Sequence, residues 1–223
     1  MLNKVYTELY SRFGPQGWWP IDGKYKKGRL NSVKSFQEKF EIIIGAVLTQ
    51  NTSWKNVEKA LDNLRGKNLI SPEKILKTDS KILADLIRPS GYFNQKADRL
   101  KIVSSFLLKN KNLKNEKDNI IRKKLLDVKG IGLETADSIL LYAFNKPFFV
   151  IDLYTKRIFS RLGFCEKNIE YKDLQKKFHE NLPKKTNLYN EYHALIVELA
   201  KKHCTKIPSC DNCPLNKICK KNL

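Results

Sequence analysis

The chain has 223 residues, 41% of them hydrophobic, enough to bury a core as one large domain or as two smaller ones that share a cleft. Its 43 Lys and Arg against 23 Asp and Glu leave a formal charge of +20, spread along the whole length and not gathered in a tail. That balance makes a polyanion the natural partner. A membrane-surface role would need a basic amphipathic helix or a lipidation signal, and neither is evident. No apolar stretch reaches membrane-spanning length, and the segment from Met1 to Gly14 has no continuous apolar run like that of a secretory signal. The expectation is a soluble, cytoplasmic, nucleic-acid-binding protein whose cysteines stay reduced, so that a cluster of them implies metal more than disulfides.

Apolar residues recur at helical spacing, as in FEIIIGAVLTQ (Phe40 to Gln50) and ADSILLYAF (Ala136 to Phe144). In chain order the periodicity predicts helices near residues 2–12, 36–50, 54–65, 72–77, 80–87, 95–109, 116–126, 134–144, 153–162, 171–182 and 187–203. The predicted fold class is therefore all-α. Loops are marked from Gly14 to Arg29, from Arg88 to Asn94, and from Cys204 onward. The short run FFVI (Phe148 to Ile151) reads as a strand by composition, but no alternating strand-turn-strand series surrounds it.

The most informative stretch runs from Leu125 to Gly163, LLDVKGIGLETADSILLYAFNKPFFVIDLYTKRIFSRLG, and reads as helix, tight turn, helix, loop, helix. In KGIG, Gly130 and Gly132 flank Ile131, which can pin the turn to a core while the glycines let backbone pass where a side chain would clash. Backbone N–H groups at the start of the next helix then face outward, where they can hold a phosphate oxygen, with Lys129 beside them.

These features resemble the helix-hairpin-helix, Gly/Pro-rich loop, Asp (HhH-GPD) superfamily of DNA glycosylases, to which endonuclease III belongs. Within residues 130–163, KGIG matches the hairpin, NKPF (Asn145 to Phe148) the loop and Asp152 the aspartate. LTQNT (Leu48 to Thr52), GYFNQKADRL (Gly91 to Leu100) and a four-cysteine tail fall in the family's order. The WWP, LTQNT and RPSGYFNQKA segments are most similar to the 3-methyladenine glycosylase III branch. The resemblance implies two helical lobes with a DNA-binding cleft and a base pocket between them. One would be a six-helix barrel at 32–147 with the hairpin; the other, at 1–31 plus 148–223, would carry Asp152 and the cysteine loop. It also implies a monomer acting on damaged bases in double-stranded DNA.

Asp152 precedes LYTKRIF, where its carboxylate can cap a helix. The resemblance adds a catalytic role. Breaking an N-glycosidic bond leaves positive charge on the sugar, which a carboxylate aimed at that carbon stabilises, or it activates water there. Arg157, five residues on, reads as a structural or phosphate-binding cation.

Bifunctional members of the family carry a lysine after the hairpin, in a GVGRKTA-like run, whose amine attacks the sugar. Here the run is GIGLETA, which puts Glu134 at that position, and a carboxylate cannot form an imine. Lys129 lies before the turn, where it would face phosphate. A monofunctional, water-using glycosylase is expected, with Glu134 either a pocket residue or a carboxylate favoured at a helix N terminus.

Cys204, Cys210, Cys213 and Cys219 read C-x5-C-x2-C-x5-C, one residue shorter in the first gap than the family's iron-sulfur spacing of C-x6-C-x2-C-x5-C. Four thiolates in so short a span imply a 4Fe-4S cluster, with structural zinc the alternative. Lys201, Lys202, Lys206, Lys217, Lys220 and Lys221 surround them, either as a phosphate-binding face or as a solvated end. Cys165 lies apart and is expected to be a buried small apolar residue.

An enzyme that works on a base in duplex DNA must turn it out and fill the gap. By resemblance Gln50 is the plug and Tyr92 the wedge, while Trp18, Pro20 and Trp54 form the base sandwich and Trp19 is structural. Aromatic rings and a single carboxylate suit cationic, alkylated purines such as 3-methyladenine. The rival readings are an endonuclease III-like enzyme for oxidised or deaminated pyrimidines, and a non-enzymatic hairpin module in which Asp152 is only a cap.

Overall fold

The computed structural model describes residues 1–28 and 35–222. Among them the chain forms eleven α-helices: α1 (Leu2–Phe13), α2 (Phe36–Leu48), α3 (Trp54–Gly66), α4 (Pro72–Lys77), α5 (Ser80–Leu86), α6 (Phe93–Lys109), α7 (Asp118–Leu126), α8 (Leu133–Ser138), α9 (Leu153–Arg161), α10 (Tyr171–Asn181) and α11 (Thr186–Lys202). The expected helices are all present, with ends moved by a few residues. Where one helix was expected over 134–144, α8 instead passes into a π-helical turn at Ile139–Ala143, whose five residues are all buried. Short 3-10 turns at Arg88–Ser90 and Leu113–Asn115 lead into α6 and α7. The isolated bridge between Ile21 and Lys24 is the one β contact among the described residues.

The chain divides into two compact units, one of Met1–Pro20, Tyr25–Asn31 and Pro147–Leu223, the other of Ile21–Lys24 and Ser32–Lys146. The expected lobe boundary between residues 31 and 32, and the end of the first loop at Arg29, lie outside the described residues. Ile21–Lys24, expected with residues 1–31, groups with the second unit: the Asp22 N–H donates to Glu41 at 2.9 Å and its carboxylate lies 3.8 Å from Arg65.

In the second unit, α2 starts at a capping box in which Ser35 accepts from the Glu38 N–H at 3.1 Å and Glu38 accepts from the Ser35 N–H at 2.9 Å. Every residue from Phe40 to Leu48 is buried, so this helix is covered on all sides, and α3, α6, α8 and the π-helical turn pack against it. Glu41 is the one charge in that run, and Arg65 of α3 pairs with it at 2.5 Å. The hairpin helices α7 and α8 are locked by a two-pronged ion pair, Arg122 donating to the fully buried Asp137 at 2.6 and 2.9 Å. Removing either partner would strand a buried charge, at a cost of about 3–5 kcal/mol.

The first unit is built on aromatic rings. Phe149 stacks on Phe178 with centroids 4.1 Å apart, Phe159 meets Phe178 edge-on at 4.8 Å, and Tyr192 closes the group while its hydroxyl donates to the Leu2 carbonyl at 2.9 Å, tying α11 to α1. The FFVI run is neither helix nor strand, and it pairs with no strand among the described residues. Side chains of α10 satisfy its backbone instead: the Phe149 N–H donates to His179 at 3.0 Å, the Phe149 carbonyl accepts from Gln175 at 2.7 Å, and the Ile151 N–H reaches the Tyr171 hydroxyl at 3.4 Å. A buried segment must find partners for these groups, and here they are side chains. The segment delivers the chain directly to Asp152.

Candidate active site

Asp152 is the N-cap of α9, with extended backbone at φ −92° and ψ 178°. Its Oδ1 accepts from both the Thr155 N–H at 2.7 Å and the Thr155 hydroxyl at 2.8 Å. Oδ2 lies 3.6 Å from Nε2 of His193 on α11, and the carboxyl side chain is 14% exposed. Burial pushes its pKa upward, but the His193 imidazole and the two Thr155 donors outweigh that, so the carboxyl is held below its ordinary value. The result is an almost buried but ionised carboxylate with one oxygen fixed by its own helix and the other left for chemistry.

The far end of α9 is clamped to the cysteine loop. Arg157 Nε donates to the Cys204 carbonyl at 2.9 Å, which makes it a structural cation, and Arg161 donates to Cys204 Sγ at 3.3 Å and to the Thr205 and Lys206 carbonyls at 2.7 and 3.0 Å. Cys204, Cys210, Cys213 and Cys219 line one cavity with the apolar Ile158, Leu162, Leu199 and Leu215. None is in a disulfide, and among the described residues no group of three or more His, Cys, Asp or Glu closes around a single ion position. Zinc needs its four sulfurs about 2.3 Å from one point. A 4Fe-4S cluster spreads its four irons, and so its thiolates, over separate corners, and hydrogen bonds to sulfur stabilise it. The N–H donors on two of these sulfurs, from Arg161 to Cys204 and from the Lys221 backbone to Cys219 at 3.4 Å, suit that larger group. Cys165, expected to be buried, is half-buried, and burial raises its pKa. Of the six lysines around the tail, Lys202 pairs with Glu198 at 2.7 Å; Lys201, Lys206, Lys217, Lys220 and Lys221 are exposed.

In the same unit, Trp18 lies with its ring centroid 5.3 Å from Trp19 and 5.9 Å from Tyr25, next to the buried Pro20. Both tryptophans are half-buried.

In the second unit the hairpin turn between α7 and α8 is pinned by buried Val128 and Ile131, with Lys129, Gly130 and Gly132 exposed. Gly130 has φ +87°, and a Cβ there would lie 2.8 Å from the Arg99 side chain. Glu134 is exposed in the first turn of α8. The structure brings Gln50 to this turn: its side-chain amide donates to the Gly130 carbonyl and to the Thr135 hydroxyl, each at 3.0 Å, and accepts from Arg99 at 2.5 Å. Tyr92 caps α6 in the left-handed region at φ 46° and is 64% exposed. Trp54 opens α3 and is half-buried.

Three residues here were not singled out from sequence. Lys96 of α6 is buried, and its ammonium donates to the carbonyls of Leu48 at 2.8 Å and Ser90 at 2.7 Å, tying the end of α2 to the turn before Tyr92. Arg99 is the second, one turn further along α6. His193 is the third, and it had a signal: it interrupts the apolar face of α11 that Tyr189, Tyr192 and Ile196 share.

A helical fold with a Gly-x-Gly hairpin in one unit and, in the other, a carboxylate capping a helix clamped to a cysteine loop is the arrangement of a DNA glycosylase of base excision repair. Residues 44–184 match the HhH-GPD superfamily of base excision DNA repair proteins, and the chain belongs to that family. It is 46% identical over 225 residues to a Methanocaldococcus jannaschii protein named "Putative DNA repair glycosylase", covering 98% of this chain and 96% of the relative. It is 33% identical over 183 residues to endonuclease III of Sulfolobus acidocaldarius, covering 81% of each. Among solved structures, the Helicobacter pylori 3-methyladenine DNA glycosylase MagIII bound to 1,N6-ethenoadenine superposes with a TM-score of 0.73 at 33% identity, covering 92% of this chain and 99% of that one.

Proposed function

We propose that the protein is a monofunctional glycosylase that hydrolyses the N-glycosidic bond of alkylated purines, 3-methyladenine first among them, in double-stranded DNA. The observation that carries this reading is the Asp152 carboxylate, ionised at the N terminus of α9 with Oδ1 occupied and Oδ2 turned to His193. As the bond from the sugar to the base breaks, its electron pair leaves with the base and the sugar becomes cationic. Asp152 Oδ2 stabilises that charge, and water adds to the sugar carbon and gives up its proton to the carboxylate. An alkylated purine already carries positive charge and departs neutral, so no strong acid is needed.

Glu134 stands where a Schiff-base lysine would be required, which supports hydrolysis over lyase chemistry. The similarity to MagIII, a 3-methyladenine DNA glycosylase, supports the substrate class. Trp18, Pro20 and Trp54 are assigned to base recognition. Gln50, Tyr92, Lys129, Gly130 and Gly132 are assigned to the duplex. Cys204, Cys210, Cys213 and Cys219 would hold a 4Fe-4S cluster, which folds the loop that α9 grips.

The test is to incubate the protein with duplexes carrying 3-methyladenine, uracil or thymine glycol and to measure free base, then to add borohydride. Release of 3-methyladenine with no covalent adduct, and strand breaks only after alkali, is the expected result. Faster release of uracil or thymine glycol overturns the substrate, and an efficiently trapped adduct overturns hydrolysis.

A further inference from the structure

The carboxylate of Asp152 has two unequal oxygens. Oδ1 is saturated by Thr155, whose N–H and hydroxyl both point at it. Oδ2 faces the imidazole of His193, 41 residues further along the chain, at 3.6 Å, an electrostatic contact longer than a hydrogen bond. His193 sits on the buried face of α11, 8% exposed, where an imidazole is costly unless it has work. We propose that His193 is a positioning residue for the glycosylase reaction, a buried imidazole that fixes the direction of Asp152 Oδ2.

The inference rests on the glycosylase reading above, and the physics is a competition. Near-complete burial favours the protonated, neutral acid, which has no charge to offer a cationic sugar. The groups that oppose burial are the imidazole and the two Thr155 donors. Several other charges on the packed elements are engaged elsewhere. On α9, Lys156 donates to the Ile169 carbonyl at 2.8 Å and Arg157 to that of Cys204 at 2.9 Å. On α11, Glu191 accepts from the Gln16 N–H at 2.6 Å, and Tyr6 of α1 meets Tyr192 edge-on. His193 is thus a partner placed to act on Oδ2. Being on a different helix, it also holds the carboxylate from a direction Thr155 cannot.

Activity requires the ionised acid, so it is lost as pH falls through the Asp152 pKa. Removing the imidazole leaves burial less opposed, raises that pKa and moves the acid limb to higher pH.

The experiment measures single-turnover base release from about pH 3 to about pH 8.5, corrected for release without protein, for the wild type, His193→Ala, His193→Gln and Asp152→Asn, with circular dichroism and thermal melting to establish folding at each pH. For His193→Ala we expect an acid limb raised by about one pH unit or more, so that the variant loses rate towards the acid end of the range where the wild type, its carboxyl held below the ordinary value, has lost less. Affinity for a duplex bearing an uncleavable abasic analogue should stay within about twofold. His193→Gln, which keeps an N–H donor, should recover part of the rate, as should added imidazole with His193→Ala. Folded His193→Ala with the wild-type rate and acid limb, beside an inactive Asp152→Asn, overturns the role of His193 alone. Full activity of Asp152→Asn overturns the catalytic reading beneath it.

Discussion

The side-chain amide of Gln50 donates to the carbonyl of Gly130 at 3.0 Å, across a separation of 80 residues. Together with Arg99, which donates to Gln50 and lies against Gly130, it makes the loop after α2 and the hairpin turn one hydrogen-bonded group. The turn has no room for a side chain at its glycine. Gly130→Ala must carry a Cβ at φ +87° and displace Arg99, so we expect a loss of about 1–3 kcal/mol in unfolding free energy and weaker binding to undamaged duplex. Urea unfolding and fluorescence anisotropy check this; an unchanged midpoint would show that Arg99 moves aside without cost.

Two substitutions at Asp152 separate its capping from its chemistry. Asparagine is as good an N-cap as aspartate, whereas alanine forfeits about 0.5–2 kcal/mol. Asp152→Asn should therefore melt close to the wild type and still bind damaged DNA, while Asp152→Ala melts lower. Neither should release base. Turnover near the wild-type rate in Asp152→Asn would leave only the cap.

Lys96 predicts an unusual slope of stability with pH. Burial, then repulsion from Arg99, lowers its pKa from 10.5 to about 8 in the folded state. Between those values the unfolded chain binds more protons than the folded one, so this group makes stability rise with pH across that window. The neutral amine keeps two N–H groups for the Leu48 and Ser90 carbonyls, so the contacts survive deprotonation. The measurement is urea unfolding at pH 8 and pH 10 in the wild type and in Lys96→Met. The gain from pH 8 to pH 10 should be smaller in the variant, and an equal gain in both would show that Lys96 keeps its proton.

The cysteine cavity predicts composition and colour. Protein purified without oxygen should be brown, with iron and sulfide near four each per chain. Cys213→Ser should lose both and melt lower, because α9 is clamped to this loop through Arg157 and Arg161. Colourless protein with one zinc per chain would overturn the cluster.

Trp18 and Trp54 are expected to hold a cationic base, each contact worth about 0.5–2 kcal/mol, or about 2- to 30-fold in rate. Trp18→Ala and Trp54→Ala should each slow 3-methyladenine release within that range, with melting curves to show that both fold. If both keep the full rate, the rings serve packing and the alkylpurine assignment falls.

Local sequence determined a great deal. Apolar spacing of three and four residues is set by the helix itself, so the helices could be placed from periodicity, and the all-α class with them. The GxG turn and the helix-capping position of Asp152 are local too, since each depends on backbone within a few residues. What depends on contacts distant in the chain was decided only by tertiary structure. FFVI has the composition of a strand, but α10 supplies Gln175 and His179 to its backbone, so it needs no strand partner. Lys96 reads as one more surface cation until α6 packs against α2 and buries it over two carbonyls. His193 reaches Asp152 only because α11 folds onto α9, and no spacing within either helix encodes that approach.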